Sequence, residues 1–428
     1  MRPSRSNRRI YLLIAFLFLG ITLFAQAPVV LSNSQSLQGQ MRKVGAVYII
    51  RGTIDMRGVS VTVPQGCTLK FEGGTLKNGT LTYNNTFIEG NYKIYCKCKG
   101  TIANDVVEPH MYGARGDGKT DDFYAIQQSI NSGKEVLFRR STYLVGSPIV
   151  FDRQNFIVDF NFATIKKTNK AGCNHKYDSY DFNRIPSVFL IKPYKSNTSG
   201  HIVIRNLIID GGKNNVGIHA IWCRNLILDN IRIYNTTQGF VSGGFTNTYK
   251  DITIWDSNEG FVVKKCNAVL FERCFTSHCG WKIEDAKGTT LTTCSSDDFN
   301  PCYSVSNSTV SMVGCTQESK GDGIMVKNSV LELSGDFESH IYDSTKKITY
   351  LKVSEGSTVY ARGCTFHLNN YMKMKIPDSN IFEVYDSSKI ELEGKVLHGS
   401  GVKVLKANNA RMTLNGRSLK NGLNLKER

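Results

Sequence analysis

Among twelve cysteines and eight histidines the sequence contains no CxxC pair and no HxxxH pair, so the ligand spacings that build a zinc site are missing. No run of five or more like charges occurs either. Lys346-Lys347 and Lys373-x-Lys375 are the nearest clusters, and without basic runs interleaved with aromatics no nucleic-acid partner is expected. No tight group of acids offers a ready calcium cage. The long uncharged apolar run, Ile10 to Ala25, is shorter than the ~20 residues that cross a bilayer. It follows Arg2, Arg5, Arg8 and Arg9 and precedes Ala25-Gln26-Ala27, the pattern of an export signal with a small-x-small cleavage site. The first cysteine is Cys67, too far on to carry a lipid at that site. Residues 1–27 are therefore read as a removed signal peptide, which leaves no membrane span and a secreted, periplasmic or cell-surface location.

The whole chain carries a formal charge of +17; residues 1–27 account for four arginines and no acid, so the mature chain is at +13. On an exported protein, a thinly spread positive charge suits an acidic polysaccharide or an anionic envelope.

What the chain does contain is a repeat. The segments FERCFTS, LTTCSSDD and SMVGCTQES place Cys274, Cys294 and Cys315 20 and 21 residues apart, and Ile283, Val305 and Val326 recur between them. A period near 21 with short alternating strands is a solenoid signature, here an all-β parallel β-helix. One column is read through Leu207, Ile231, Ile252, Cys274, Cys294, Cys315, Asp336, Cys364, Lys395 and Arg417. Stacked ~4.8 Å apart with parallel side-chain vectors, its cysteines have poor disulfide geometry, so a buried ladder of free thiols is expected.

Residues 28–107 alternate short runs rich in Thr, Val, Ile and Tyr with glycine turns, a small β-rich N-terminal domain for which a short stack of coils is one open arrangement. Residues 108–428 form the solenoid. It opens with one capping helix, for which Thr120 is the expected N-cap, Phe123, Ile126 and Ile130 the apolar face, and Gly133 the end. Asp117, Asp121 and Asp122 are read as loop and cap acids. YGARGDGKTDD, then AIQQSI, then a strand and STYLV resemble the opening segment of the pectate-lyase-like right-handed β-helix superfamily. That superfamily includes polygalacturonase-related glycoside hydrolases and phage tailspikes. The resemblance implies a right-handed single solenoid and a polysaccharide partner. Of the motifs that typify polygalacturonases, Asp297-Asp298 resembles the Asp-Asp pair, Asn258-Glu259-Gly260-Phe261 and Gly321-Asp322-Gly323-Ile324 loosely resemble Asn-Thr-Asp-Gly, and no Gly-His-Gly occurs.

Three and four residues beyond the apolar column the chain turns, and stacking aligns Asp210, Tyr234, Asn235, Trp255, Asp256, Ser277, His278, Asp297, Asp298, Glu318, His340, His367 and His398 as one outward stripe. Turns favour Asp, Asn and Ser, but not the aromatics, so the stripe reads as a binding groove walled by insertions at Ile341–Tyr350 and Leu368–Ser379. A further loop, 168–187 with His175, Tyr177 and Tyr180, is a candidate for sugar contact. Carboxylates on neighbouring coils are the equipment of glycoside hydrolysis. The expectation is an exported glycoside hydrolase with Asp297, Asp298 and Glu318 as acid, base or nucleophile. Tyr234 and Trp255 are the sugar platforms, and His278, His340 and His367 contact hydroxyls or carboxylates. No cofactor or metal is expected. A polysaccharide lyase, which would use calcium or Lys282, Lys320 and Arg273 to neutralise a uronate, and a non-catalytic adhesin or tailspike-like binder remain open, as does the oligomeric state.

Overall fold

The computed structural model describes residues 27–153, 155–168, 187–192, 201–340, 347–369, 379–397, 402–407 and 409–422. The export signal, the loop with His175, Tyr177 and Tyr180, and His398 lie outside the described residues, as do most of the two insertions. Among the described residues no helix is long and apolar enough to cross a membrane.

The chain divides into two compact units, residues 1–104 and 105–428. In the first, Val29–Val30, Val47–Ile50, Thr68–Phe71 and the long strand Thr75–Gly90 stack in parallel. Thr53–Asp55, Ser60–Thr62 and Lys93–Ile102 pair along the same long strand. Alternation places Leu69, Phe71, Leu76, Leu81, Ile94 and Cys98 inside, as a half-buried strand requires. A four-residue helix, Leu37–Gln40, is capped by the Ser36 hydroxyl, which accepts from Gly39 N at 3.1 Å.

The second unit begins with the helix Phe123–Asn131. Its N-cap is Asp122 rather than Thr120, which lies in the extended segment Asp117–Asp121. The Asp117 carboxylate accepts from the Lys119 and Thr120 amides at 2.9 and 2.7 Å, and that of Asp122 from Arg115 and Gly116 at 2.8 and 3.0 Å. These bonds hold the loop extended until the helix starts, and they pull the Asp117 carboxyl down to about 2. Ile126 and Ile130 are buried beneath.

From Glu135 the chain winds into stacked coils, each built of extended stretches joined by corners. In the coil 226–245, Ile227–Asp229, Ile231–Tyr234 and Gln238–Ser242 pair in parallel with Thr248–Lys250, Ile252–Trp255 and Glu259–Val263 of the next. Corners between stretches need left-handed backbone, and short polar residues supply it. Asn230, Asn235, Asp251, Asp256, His278 and Asp298 all have φ between 49° and 60°. Inside, like residues stack on like. Phe240, Phe261, Trp281 and Tyr303 are in register, with Phe261 and Trp281 centroids 3.9 Å apart and their planes 19° from parallel. Full burial of each large side chain contributes roughly 1.5–3 kcal/mol. A serine ladder closes another corner: Ser308, Ser329 and Ser357 amides donate in turn to the hydroxyls of Ser329, Ser357 and Ser388, at 3.0, 3.1 and 3.1 Å.

Cys274, Cys294 and Cys315 lie on successive coils in one buried column. The eleven described cysteines are all buried and free, and hydrogen bonding with Cys274 together with burial pushes the Cys294 thiol up, so it stays protonated. Beyond Cys315 the expected column needs correction. Its next members are Gly335, Cys364 and Gly394, with Asp336 and Lys395 one residue further on and facing out. Arg417 belongs to a terminal antiparallel pair with Leu414 rather than to a stacked coil.

A candidate glycan-binding groove

The outward stripe is built by register. Lys166, Asp210, Tyr234 and Trp255 are Cα partners in succession, followed by Ser277, Asp297, Glu318, Glu338 and His367. Each lies three residues past the apolar column, and on an alternating strand that odd offset turns the described side chains away from the lumen. Asp297 and Glu318 are thus direct neighbours on adjacent coils, ~4.8 Å apart along the stack.

At one end the aromatic pair forms a surface. The Tyr234 and Trp255 rings are stacked with centroids 5.1 Å apart and planes 15° from parallel. Beside them lies a pocket of about 450 Å³ lined by Lys213, Tyr234, Asn235, Thr236, Asp256 and Asn258. Burial, with the nearby Asp210 charge, raises the Tyr234 hydroxyl above its usual range, so it remains a hydrogen-bond donor. Asp210 is itself fixed by Asn235 Nδ2 at 2.9 Å and by Lys166 Nζ at 3.7 Å.

The neighbouring corner column carries charge. His278 Nε2 lies 3.5 Å from Asp298 Oδ2, His278 Nδ1 lies 3.9 Å from Asp256 Oδ1, and Lys320 Nζ lies 3.2 Å from Asp298 Oδ1. Asp298 therefore has a cation on one oxygen and an imidazole on the other, whereas Asp297 projects from the strand next to Glu318. Glu259 follows one corner on, accepting from Gln238 Nε2 and lying 3.9 Å from Lys282 Nζ.

Toward the other end, His367 Nε2 contacts Asp336 Oδ1 at 2.7 Å, and its Cα partner on the preceding coil is Glu338. His340 pairs with Asn369, two residues further along the strand, so its backbone is outside the column of His367; its side chain is outside the described residues. The structure thus brings together Tyr234 with Trp255, His278 with Asp298, and Asp297 with Glu318 in register, and it sets His367 beyond them on the same column.

A second acid group joins Asp322 to residues not singled out from sequence, Lys352, Glu383 and Tyr385. Lys352 and Glu383 are Cα partners, with Lys352 Nζ 3.5 Å from Glu383 Oε2 and Tyr385 donating to the same oxygen at 3.0 Å. Burial raises the Asp322 carboxyl, partly offset by Lys352 and reinforced by Glu383. Asp322 follows Glu318 by four residues across the corner, so the same rim carries a carboxyl that burial holds above the usual carboxylate range. The enlarged coil between Lys352 and Glu383 hides this pairing from a 21-residue period, and only the sheet register reveals it.

Parallel coils stacked in this way define a right-handed parallel β-helix. Within it, residues 107–304 match the family described as rhamnogalacturonase A/epimerase, pectate lyase-like. No curated protein matches the chain. Among solved structures it is similar to the gp42 tailspike of Acinetobacter phage vb_AbaP_AS12, with a TM-score of 0.58 and 16% identity over 74% of this chain and 64% of that one. It is also similar to the enzymatically active domain of tailspike protein 2 of bacteriophage CBA120, with a TM-score of 0.58 and 15% identity over 73% of this chain and 52% of that one. The chain thus spans less than two thirds of the length of either tailspike, and at these identities the likeness speaks to fold alone.

Proposed function

We propose that the protein is an exported glycoside hydrolase that binds an acidic polysaccharide along the Tyr234–Glu318 stripe. The observation that carries the proposal is the register itself. One continuous column places a stacked aromatic pair beside a pocket, then two carboxylates on adjacent coils. Sugar rings lie against the Tyr234 and Trp255 faces, which offer large apolar surface with polar edges. Asp297 and Glu318 serve as the reacting pair, one protonating the glycosidic oxygen and the other attacking the anomeric carbon or activating water. Asp298, engaged by Lys320 and His278, orients the site. His278 and His367 contact hydroxyls or carboxylates of the chain, and Asp322 supplies a further proton-holding acid on the rim. The net positive charge supports an anionic substrate.

A panel of polysaccharides assayed together for reducing ends and for unsaturated-product absorbance tests this. Reducing ends without new absorbance support hydrolysis. New absorbance assigns a lyase, with Lys320 and Lys282 as the neutralising cations. Binding with neither signal leaves a glycan-binding module. Asp297→Asn and Glu318→Gln are each expected to lower turnover by at least about a hundredfold with the fold retained, and unchanged turnover removes that residue from the site.

A further inference from the structure

We infer that a second glycan-binding site, for a sugar ring bearing a carboxylate, is built by Trp222, Arg224 and Phe245 at a different corner of the coil. The ligand class rests on the polysaccharide reading above; the residues and the geometry are separate from the groove.

At this corner most coils place one left-handed residue directly before an inward-facing one. The occupants on later coils are Lys265, Asp285, Asn307 and Asn328, with φ of 49°, 51°, 50° and 42°. Trp222 holds the same conformation, φ 50°, directly before Cys223. For a bulky aromatic this backbone is a genuine outlier that costs about 1–2 kcal/mol. The residue is 41% exposed, so part of its aromatic surface stays open to solvent at this strained corner. Strain held at an exposed aromatic is a reason to look for a ligand.

The surroundings suit one. Phe245 lies 5.9 Å from the Trp222 ring, their planes tilted by 32°. Arg224, its Cα partner on the preceding coil, holds its guanidinium carbon 5.4 Å over the Phe245 ring. Stacking on an aromatic face fixes the plane of a guanidinium while leaving its edge donors for an anion. Two apolar faces with a fixed cationic fork match the apolar C–H face of a pyranose whose ring carries a carboxylate. A bidentate guanidinium–carboxylate pair would supply the preference for an acidic sugar over a neutral one.

Affinity electrophoresis of the full mature protein in gels containing polygalacturonate, alginate or neutral dextran tests the site, comparing wild type with Trp222→Asn, Arg224→Gln and Trp255→Ala. Asparagine accepts left-handed backbone, so Trp222→Asn is expected to melt at or above the wild-type temperature while retarding at least about tenfold less in an acidic polymer, the loss typical of an aromatic anchor. Arg224→Gln should weaken acidic-polymer binding and reduce its salt dependence. Trp255→Ala should keep this component while losing groove binding. Wild-type retardation of Trp222→Asn in both acidic polymers would overturn the inference and leave the groove reading standing. Equal wild-type retardation in dextran would overturn the acidic assignment. Absence of wild-type binding to every polymer would overturn both readings.

Discussion

Lowering the pH from 7 to 4 should destabilise the protein through His219. This residue sits on the outward side of its stretch, in a column running Leu190, His219, Val241 and Val262. All four are buried, with His219 3% exposed. Burial pushes its imidazole down to about 4, against ~6.5 for the same group in an unfolded chain. Between those values the unfolded chain binds a proton that the folded protein refuses, so stability rises with pH. The contribution is fully present above pH 6.5 and is lost as pH falls toward 4, a change of roughly 3 kcal/mol at 1.36 kcal/mol for each tenfold difference. Denaturant titrations of wild type and His219→Leu across this range isolate the effect, because other groups titrate in both proteins. The difference in unfolding free energy should shrink by roughly 3 kcal/mol from pH 7 to pH 4. Parallel pH profiles for the two proteins would refute a neutral, buried His219.

Three further outcomes are expected. Trp281→Ala removes the ring between Phe261 and Tyr303 and should cost about 3–5 kcal/mol in chemical denaturation. Gly335→Ala would set a Cβ 2.3 Å from the Cys315 carbonyl oxygen at φ +139°, so a clear fall in melting temperature is expected, whereas Gly363→Asn, at φ +64° with no atom within 4 Å of the added Cβ, should change it little. Thiol titration of the denatured, unreduced protein should find free cysteines in the number of the buried ladder, and a count of zero would exclude it.

The inner face was legible because stacking demands repetition. Cys274, Cys294 and Cys315 are in register, and so are Ile283, Val305 and Val326. The reading slipped by one residue where the column passes to Gly335 and Gly394, whose missing side chains give no apolar signal; Asp336 and Lys395 took their places. That slip, with His340 taken four rather than three residues beyond the column, put it in the stripe where register puts Glu338. Corner chemistry was only half legible. Asn235 and Asp256 follow from the preference of short polar residues for left-handed backbone, but Trp222 violates that preference, and its φ and exposure in the structure mark it out. Glu383 escaped because it meets Lys352 across an enlarged coil, beyond any fixed period.

The account's central claim is that substrate lies along one column, and a crystal structure with a bound acidic oligosaccharide, obtained with Asp297→Asn to block turnover, tests it most directly. Sugar rings against Tyr234 and Trp255, with a glycosidic oxygen within hydrogen-bonding reach of residue 297 or Glu318, are the predicted result. An oligosaccharide seated instead on another face, such as the pocket lined by Glu332, Tyr360 and Arg362, with the Tyr234–Glu318 column empty, would contradict it.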